Sequence, residues 1–254
     1  VEAARWTIEH LKAKRVIPIQ RNRIFKNAIL DYATNMNLRP YMYTDSIRGT
    51  IVFYAEPTKA TTPNSKYSRS ELREQMVPGD NNVNWTFADG GTLKAKLSID
   101  EVSLDDEGEY HRIIILQIHG RLTNEQRDLI GQKDNNAPPV LKIYWDKGKI
   151  RVKTKILKDI NTPYEQMLHK DAWGDDEGFN FEQKVGFRKF SLEIRVSKGK
   201  IVVVLNNADY KVYENIHLEK WGVFENYFKA GNYFQSRDEG SFAKVSFFEL
   251  EVSH

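Results

Sequence analysis

Three short segments, far apart in the chain, have polar side chains at every second position. The polar residues of these segments are Arg69, Glu71 and Arg73 in SRSELRE, Gln117 and His119 in HRIIILQIHG, and Tyr227, Lys229, Tyr233 and Gln235 in ENYFKAGNYFQ. Alternate side chains of a β-strand point to the same face. If the three strands were neighbours, they would therefore form one face of guanidinium, carboxylate, amide, imidazole, ammonium and phenol groups.

Groups of these types can bind an anion and move a proton. An imidazole titrates near neutral pH and can accept a proton. Arg69 and Arg73 would lie about 13 Å apart along an extended strand, with Glu71 between them to hold one of them in place. Each segment alone also fits a role without chemistry, as a cross-strand charge ladder or as ordinary strand residues. Only their joint occurrence favours a site.

The elements that would position these residues are mainly strands. After about residue 48 the chain consists of brief apolar or alternating runs separated by Gly, Pro, Asn and Asp, which predicts an all-β sandwich or barrel. The predicted strands lie at 49–56, 68–76, 91–102, 111–120, 140–146, 149–157, 187–197, 200–207, 226–235 and 243–253.

The connections between these strands are predicted as well. Residues 146–149 and 197–200 read as hairpin turns with a left-handed glycine, and the polar stretch 120–139 reads as an excursion between strands. Helical spacing predicts a short helix at 1–15.

Composition limits the classes of function. With 254 residues and 40% hydrophobic content, the chain is long enough for one all-β domain. The balance of 38 Lys and Arg against 35 Asp and Glu does not indicate a nucleic-acid partner, and no apolar run is long enough to span a membrane. The absence of cysteine excludes disulfides and thiolate metal sites, and no histidine spacing or acidic run matches a metal motif. We expect neither a metal nor a cofactor.

The three segments resemble a known family when they are taken together. SRSELRE at 68–74, QIH at 117–119 and YFKAGNYFQ at 227–235 are similar to the signature blocks of alginate lyases of polysaccharide lyase family 7. The resemblance covers residue 48 to the end and leaves 1–47 as an N-terminal extension without an assigned role. It implies a single β-jelly roll domain of two curved antiparallel sheets, with a concave groove that holds a polyuronate chain.

The resemblance also implies roles for individual residues. Alginate is a 1,4-linked polymer of mannuronate and guluronate, and a lyase removes the C5 proton and expels the oxygen at C4. The catalytic residues would be Arg73, Gln117, His119 and Tyr233. The substrate-binding residues would be Arg69, Glu71, Lys229, Tyr227 and Gln235. Arg73, Gln117 and His119 would neutralise the uronate carboxylate, as the donors of an oxyanion hole do.

The same resemblance assigns the proton transfers. For guluronate, His119 would act as the base and Tyr233 as the acid, whereas Tyr233 could serve as both for mannuronate. Ile118, between Gln117 and His119, is associated in the family with acceptance of guluronate. We expect endolytic cleavage of alginate by a monomer that is secreted or periplasmic in a bacterium, after removal of a signal peptide.

Two other functions fit the same sequence features. A jelly roll with a polar, aromatic groove could be a carbohydrate-binding module without catalysis, since a fold alone does not give a function. Alternatively, the enzyme could be a lyase for another polyuronate, such as a glucuronan.

Overall fold

The described residues form two antiparallel sheets. The computed structural model describes residues 13–16 (backbone only), 32, 34, 36, 38–58, 66–77 and 80–254. One sheet contains β1 (Ala13–Val16), β4 (Arg69–Glu74), β6 (Ile113–Arg121), β7 (Asn136–Asp146), β8 (Lys149–Leu157), β9 (Trp173–Asp175), β10 (Phe179–Lys184) and β14 (Glu225–Phe234). The other contains β2 (Met42–Asp45), β3 (Thr50–Ala55), β5 (Gly91–Val102), β11 (Phe190–Ser197), β12 (Lys200–Leu205), β13 (Asp209–Glu214) and β15 (Ala243–Ser253).

The strand order of the first sheet places the three polar segments side by side. Its order is β1-β4-β14-β6-β7-β8-β10, with β9 paired to β8, and the order of the second sheet is β13-β12-β11-β5-β15-β3-β2. Strands β4, β14 and β6 are therefore adjacent although about 160 residues of sequence separate β4 from β14. This topology confirms the predicted fold class of two antiparallel sheets.

The core lies between the sheets and is formed by the apolar face of each strand. In β11, for example, Phe190, Leu192, Ile194 and Val196 are buried while the residues between them are not. Full burial of such side chains contributes roughly 1.5–3 kcal/mol each. This alternation is the period-two pattern that made the strand predictable from the sequence.

All ten predicted strands are present, and β1, β2, β9, β10 and β13 were missed. The missed strands are short or mostly polar, so they lack a distinct apolar alternation. Both predicted hairpin glycines have positive φ, +85° at Gly148 and +70° at Gly199. The helix predicted at 1–15 lies mostly outside the described residues, and its last three positions, 13–15, belong to β1 instead.

The excursion predicted at 120–139 is shorter than expected, because β6 continues to Arg121 and β7 begins at Asn136. Between these strands lies helix α1 (Asn124–Leu129). It begins with a capping box in which Gln126 N donates to Thr123 Oγ1 (3.1 Å) and Thr123 N donates to Gln126 Oε1 (2.9 Å). The TNEQ sequence contains this signal, so the helix was predictable.

Three other short helical segments complete the described structure. They are α2 (Tyr164–Met167), a 3₁₀ turn (Lys170–Ala172) and α3 (Ile216–Trp221). Within the described ranges, none of the helices has the length and apolar character needed to cross a lipid bilayer.

Gly231 allows β14 to run close to β4 between Lys229 and Tyr233. Its φ is +147°, and an added Cβ would lie 2.4 Å from Ser70 O and 2.7 Å from Glu71 Cα. The pairing of β14 with β6 shifts register between Ala230 and Tyr233, so β14 has a bulge there. Such a bulge changes the direction in which the side chains that follow it, beginning with Tyr233, project from the sheet. Glycine is thus required here by both backbone conformation and space.

Gly231→Ala is expected to lower the free energy of unfolding by roughly 2–4 kcal/mol, because the methyl group meets backbone atoms that cannot rotate away. The matched control is Gly240→Ala, where φ is +76° but no atom lies within 4 Å of the added Cβ. The control should cost only about 1 kcal/mol. Chemical denaturation of both variants measures the difference, and equal losses would show that the close approach at Gly231 is unimportant.

Candidate active site

The three adjacent strands bring the predicted residues onto one face of the first sheet. Lys229 of β14 lies opposite Arg73 of β4 and Gln117 of β6, while Tyr227 lies opposite His119. Tyr233 lies opposite Arg69. We call this set the polar face: Arg69, Glu71, Arg73, Gln117, His119, Tyr227, Lys229 and Tyr233. The residues between them, such as Leu72 and Ala230, are buried in the core.

Glu71 is the centre of the polar face and is 1% exposed. Its carboxylate accepts hydrogen bonds from Lys229 Nζ and from Gln117 Nε2, and Arg69 Nη1 lies 3.3 Å from Oε2. Burial opposes ionisation, but the charges of Lys229 and Arg69 and the two hydrogen bonds outweigh it and lower the pKa of Glu71. One carboxylate anion therefore joins β4, β14 and β6. The sequence-based expectation that Glu71 holds an arginine is met by Arg69.

Lys229 is 4% exposed, and its ammonium group is the partner of Glu71. Burial lowers its pKa to about 8, and the nearby guanidinium groups of Arg69 and Arg73 act in the same direction, while Glu71 opposes the shift. Lys229 is therefore mainly protonated at neutral pH and loses its charge as the pH rises through about 8.

Tyr227 lies between a cation and an imidazole. The Arg73 guanidinium carbon is 3.8 Å from the centroid of the Tyr227 ring, and the His119 ring stacks near it with centroids 5.2 Å apart and an angle of 14°. Burial raises the pKa of the Tyr227 phenol although Arg73 opposes the change. Tyr227 thus remains neutral and fixes the orientation of both neighbours.

The Arg73 guanidinium is held mainly by the loop that follows β4. It donates to Glu74 O (2.7 Å), to Asn81 Oδ1 (3.0 Å) and to Asn84 Oδ1 (3.0 Å), and Arg73 is 6% exposed. Burial lowers its pKa, opposed by Tyr227. Arg73 supplies positive charge to the polar face, while much of its hydrogen-bonding capacity is used by protein acceptors.

His119 presents one ring nitrogen for proton transfer. Its Nδ1 lies 3.0 Å from Gly120 O, so the neutral ring donates from Nδ1 and keeps a lone pair on Nε2. Burial and the charge of Lys229 lower the pKa of His119 to about 3 in the free site, although the Gly120 carbonyl opposes the shift. A bound carboxylate would offset the neighbouring cations and raise this pKa toward the range of an effective base.

Tyr233 is half-buried at the other end of the polar face. The Arg69 guanidinium lies 3.9 Å from the centroid of its ring, and the Tyr67 ring packs edge-on at 6.3 Å. Arg69 also acts electrostatically on His119. One guanidinium group therefore lies near both candidates for proton transfer.

Gln235, predicted as a substrate-binding residue, lies one position beyond the end of β14. Its side-chain amide donates to Tyr233 O at 3.1 Å. This contact supports the backbone of Tyr233 at the edge of the polar face.

Four further residues extend the site and were missed in the sequence. Arg121 Nη1 forms an ion pair with Glu225 Oε2 at 2.5 Å, and Asn81 and Asn84 hold Arg73. Arg121 is two residues after His119 and Glu225 two before Tyr227, so the period of two could have identified both. The two asparagines belong to an irregular loop, where no periodic signal exists.

The part of the chain that the structure describes contains no group of three or more His, Asp or Glu side chains that could hold a metal ion.

Comparison with known proteins finds similarity to alginate lyases. A family model described as alginate lyase matches residues 4–254. An alginate lyase of Klebsiella pneumoniae is 26% identical to this chain, and the match covers 84% of this chain and 78% of that protein.

Solved structures of alginate lyase A1-II′, a member of polysaccharide lyase family 7, are also similar. One has 29% identity and a TM-score of 0.74, and the match covers 96% of this chain and 95% of that one. A form of A1-II′ with a histidine changed to asparagine and a tyrosine to phenylalanine, in complex with the substrate GGMG, has 28% identity and a TM-score of 0.72 over 96% and 93% of the two chains.

His119 is expected to remain neutral in the free protein between about pH 5 and 8, because burial and the charge of Lys229 lower its pKa to about 3. Nitrogen-detected NMR of the imidazole should show a proton on Nδ1 and no titration across this range, with His119→Asn used to assign the signal. A titration near the ordinary value of 6.5 would contradict the electrostatic description of the site.

Proposed function

This chain belongs to the alginate lyase family and is a polysaccharide lyase that acts on alginate, and we propose that its polar face performs the β-elimination, with His119 and Tyr233 as the proton-transfer groups. The observation that supports this assignment is the arrangement of a neutral imidazole and a phenol on adjacent strands, with Arg69 close to both. Gln117 and Lys229 lie between them on the same face.

The difficult step is removal of the C5 proton next to a negatively charged carboxylate. The developing enolate places further charge on that carboxylate, so fixed cations and donors around it lower the barrier. The polar face offers the guanidinium groups of Arg69 and Arg73 and the ammonium group of Lys229. Gln117 uses one amide hydrogen for Glu71 and has a second for the substrate. We assign neutralisation of the uronate to Gln117 and Arg73, with Arg73 acting chiefly through its charge. His119, which the family resemblance also assigned to neutralisation, has its single N–H directed at Gly120 O, so we assign it only as the base.

The base and the acid are distinct groups for a guluronate residue. His119 accepts the C5 proton at Nε2, and Tyr233 gives its phenolic proton to the C4 oxygen as the bond to it breaks. The electron pair from the C5–H bond forms the 4,5 double bond, and the leaving oxygen becomes a hydroxyl group. For mannuronate, Tyr233 acts in its phenolate form: the phenolate oxygen takes the C5 proton, the electron pair of the C5–H bond forms the 4,5 double bond, and the resulting phenol gives the same proton to the leaving C4 oxygen.

A second set of residues binds the substrate or holds the groups that bind it: Arg69, Glu71, Tyr227, Lys229 and Gln235. Glu71 acts through Lys229, Gln117 and Arg69, since its carboxylate is buried beneath them. Gln235 acts through the backbone of Tyr233. Secretion and a monomeric state stay predictions of the sequence.

Tyr233→Phe should lower kcat by roughly 10²- to 10⁴-fold, the usual contribution of a positioned acid or base. Binding of alginate oligosaccharides should change little, because the ring and its contact with Arg69 are retained. The rate is measured from the ultraviolet absorbance of the 4,5-unsaturated product and the binding by calorimetry. Tyr67→Phe, which alters a neighbouring phenol, is the matched control; a Tyr233→Phe enzyme with the full rate would refute the role of Tyr233.

Polyguluronate should be cleaved at least as fast as polymannuronate, because His119 and Tyr233 provide separate groups for the two proton transfers. Ile118 is fully buried, so any influence of this residue on the preference must act through the position of its neighbours on β6. Initial rates on the two block polymers measure the preference. A strong preference for mannuronate would count against His119 as the base.

Cleavage is expected to be endolytic, as in an open groove that binds the middle of a polymer. The viscosity of an alginate solution should then fall steeply while only a small fraction of the linkages has been cut. Release of one short product from the beginning, with viscosity falling only in proportion to the bonds cut, would indicate an exolytic enzyme instead.

A further inference from the structure

The polar face continues onto β7 and β8 as a group of basic residues. Gln117 of β6 lies opposite Lys142 of β7, and Lys142 lies opposite Lys153 of β8. Lys155 is two positions along β8 and therefore projects from the same face. Arg151 lies opposite Tyr144 on these strands. The sheet thus leads directly from the proposed catalytic residues to further cations.

Two of these cations share one carboxylate. Asp175 of β9 lies 2.6 Å from Lys142 Nζ through Oδ2 and 2.7 Å from Lys155 Nζ through Oδ1. The side chain of Asp175 is 30% exposed, and those of the two lysines are 15% and 14% exposed. Although burial opposes ionisation, the two ammonium groups lower the pKa of Asp175. The cluster is therefore an ionised carboxylate held by two ammonium groups and partly exposed to solvent.

Tyr144 lies on the same face of the sheet as Tyr233, because both lie opposite Ile114 of β6. Burial raises the pKa of the Tyr144 phenol to about 12, and the negative charge of Asp175 and the phenol of Tyr233 act in the same direction. The Tyr144 side chain is thus within electrostatic reach of both. A polymer bound across Tyr233 and Lys142 would cross only β14, β6 and β7.

We propose that Lys142 and Lys155 form a binding site for the carboxylate of a sugar beside the cleaved linkage, and that Asp175 occupies this site in the free enzyme as an internal competitor. This inference rests on the proposed function, because alginate has one carboxylate on every sugar. The Asp175 carboxylate is the same chemical group as that of a uronate and already satisfies the two ammonium groups. A substrate carboxylate must therefore displace Asp175 from the two lysines, or bind the same lysines while the negative charge of Asp175 repels it.

Asp175→Asn tests this competition, because the amide keeps the shape of the side chain and removes its charge. The KM for polymeric alginate should fall roughly two- to fivefold, the range for a partly exposed ion pair, while kcat changes less than twofold. The decrease should be larger at low salt than at high salt. Asp209→Asn, the same change at an exposed position on β13 of the other sheet, should leave both constants unchanged.

Lys142→Gln provides a second, independent readout. In the native background, Lys142→Gln should raise KM. In the Asp175→Asn background, it should abolish the decrease in KM that Asp175→Asn causes alone. Should Asp175→Asn have a much lower melting temperature, Lys142→Gln in the native background decides the question: a raised KM supports the site and an unchanged KM overturns it. A KM that is unchanged or higher in a folded Asp175→Asn enzyme also overturns the proposal.

These outcomes are separate from the test of the lyase mechanism. An enzyme that cleaves alginate with an unchanged KM in Asp175→Asn retains the proposed function and loses only the competing site. Failure of the native protein to form unsaturated product would instead refute the proposed function itself.

Discussion

The structure of the site depends on one buried anion. Glu71 is almost fully buried, and its carboxylate joins three strands through Lys229, Gln117 and Arg69. A charge in this position is costly unless its partners are charged and well placed. The Glu71 carboxylate therefore fixes the positions of Lys229, Gln117 and Arg69, because each of them loses its interaction with Glu71 if it moves away. A site that must stabilise a developing enolate benefits from such fixed donors.

The same charges set the protonation states that catalysis needs. The excess of cations near His119, together with burial, keeps its imidazole neutral and ready to accept a proton. Lys229 remains protonated at neutral pH because Glu71 compensates part of the cost of burial. In the mechanism that we propose, an anionic sugar would reduce the excess of positive charge and so raise the basicity of His119. That mechanism would couple substrate binding on the polar face to activation of His119.

The sequence predicted the strands that have an apolar alternation and the residues that share their polar face. Arg69, Glu71, Gln117 and Lys229 could be placed together because a period of two survives in each segment and three motifs occur in a known order. The strand order, the bulge near Gly231 and the partners of Arg73 could not be predicted, because they depend on contacts between distant residues. Edge strands such as β10 and β13 were missed since solvent-exposed strands need no apolar pattern. The orientation of the guanidinium groups could not be predicted either: Arg69 lies over the Tyr233 ring, whereas Arg73 lies over the Tyr227 ring.

The most direct test of this account is a double-mutant cycle on the free energy of unfolding with Glu71→Gln, Lys229→Met and the two changes combined. Glu71→Gln alone leaves the Lys229 ammonium buried without its counter-ion, so it should cost about 3–5 kcal/mol. The combined variant should recover a substantial part of that loss, which gives an interaction energy on the order of 2 kcal/mol between the two positions. Additive effects, with no recovery in the combined variant, would contradict the claim that the Glu71 anion holds the site together.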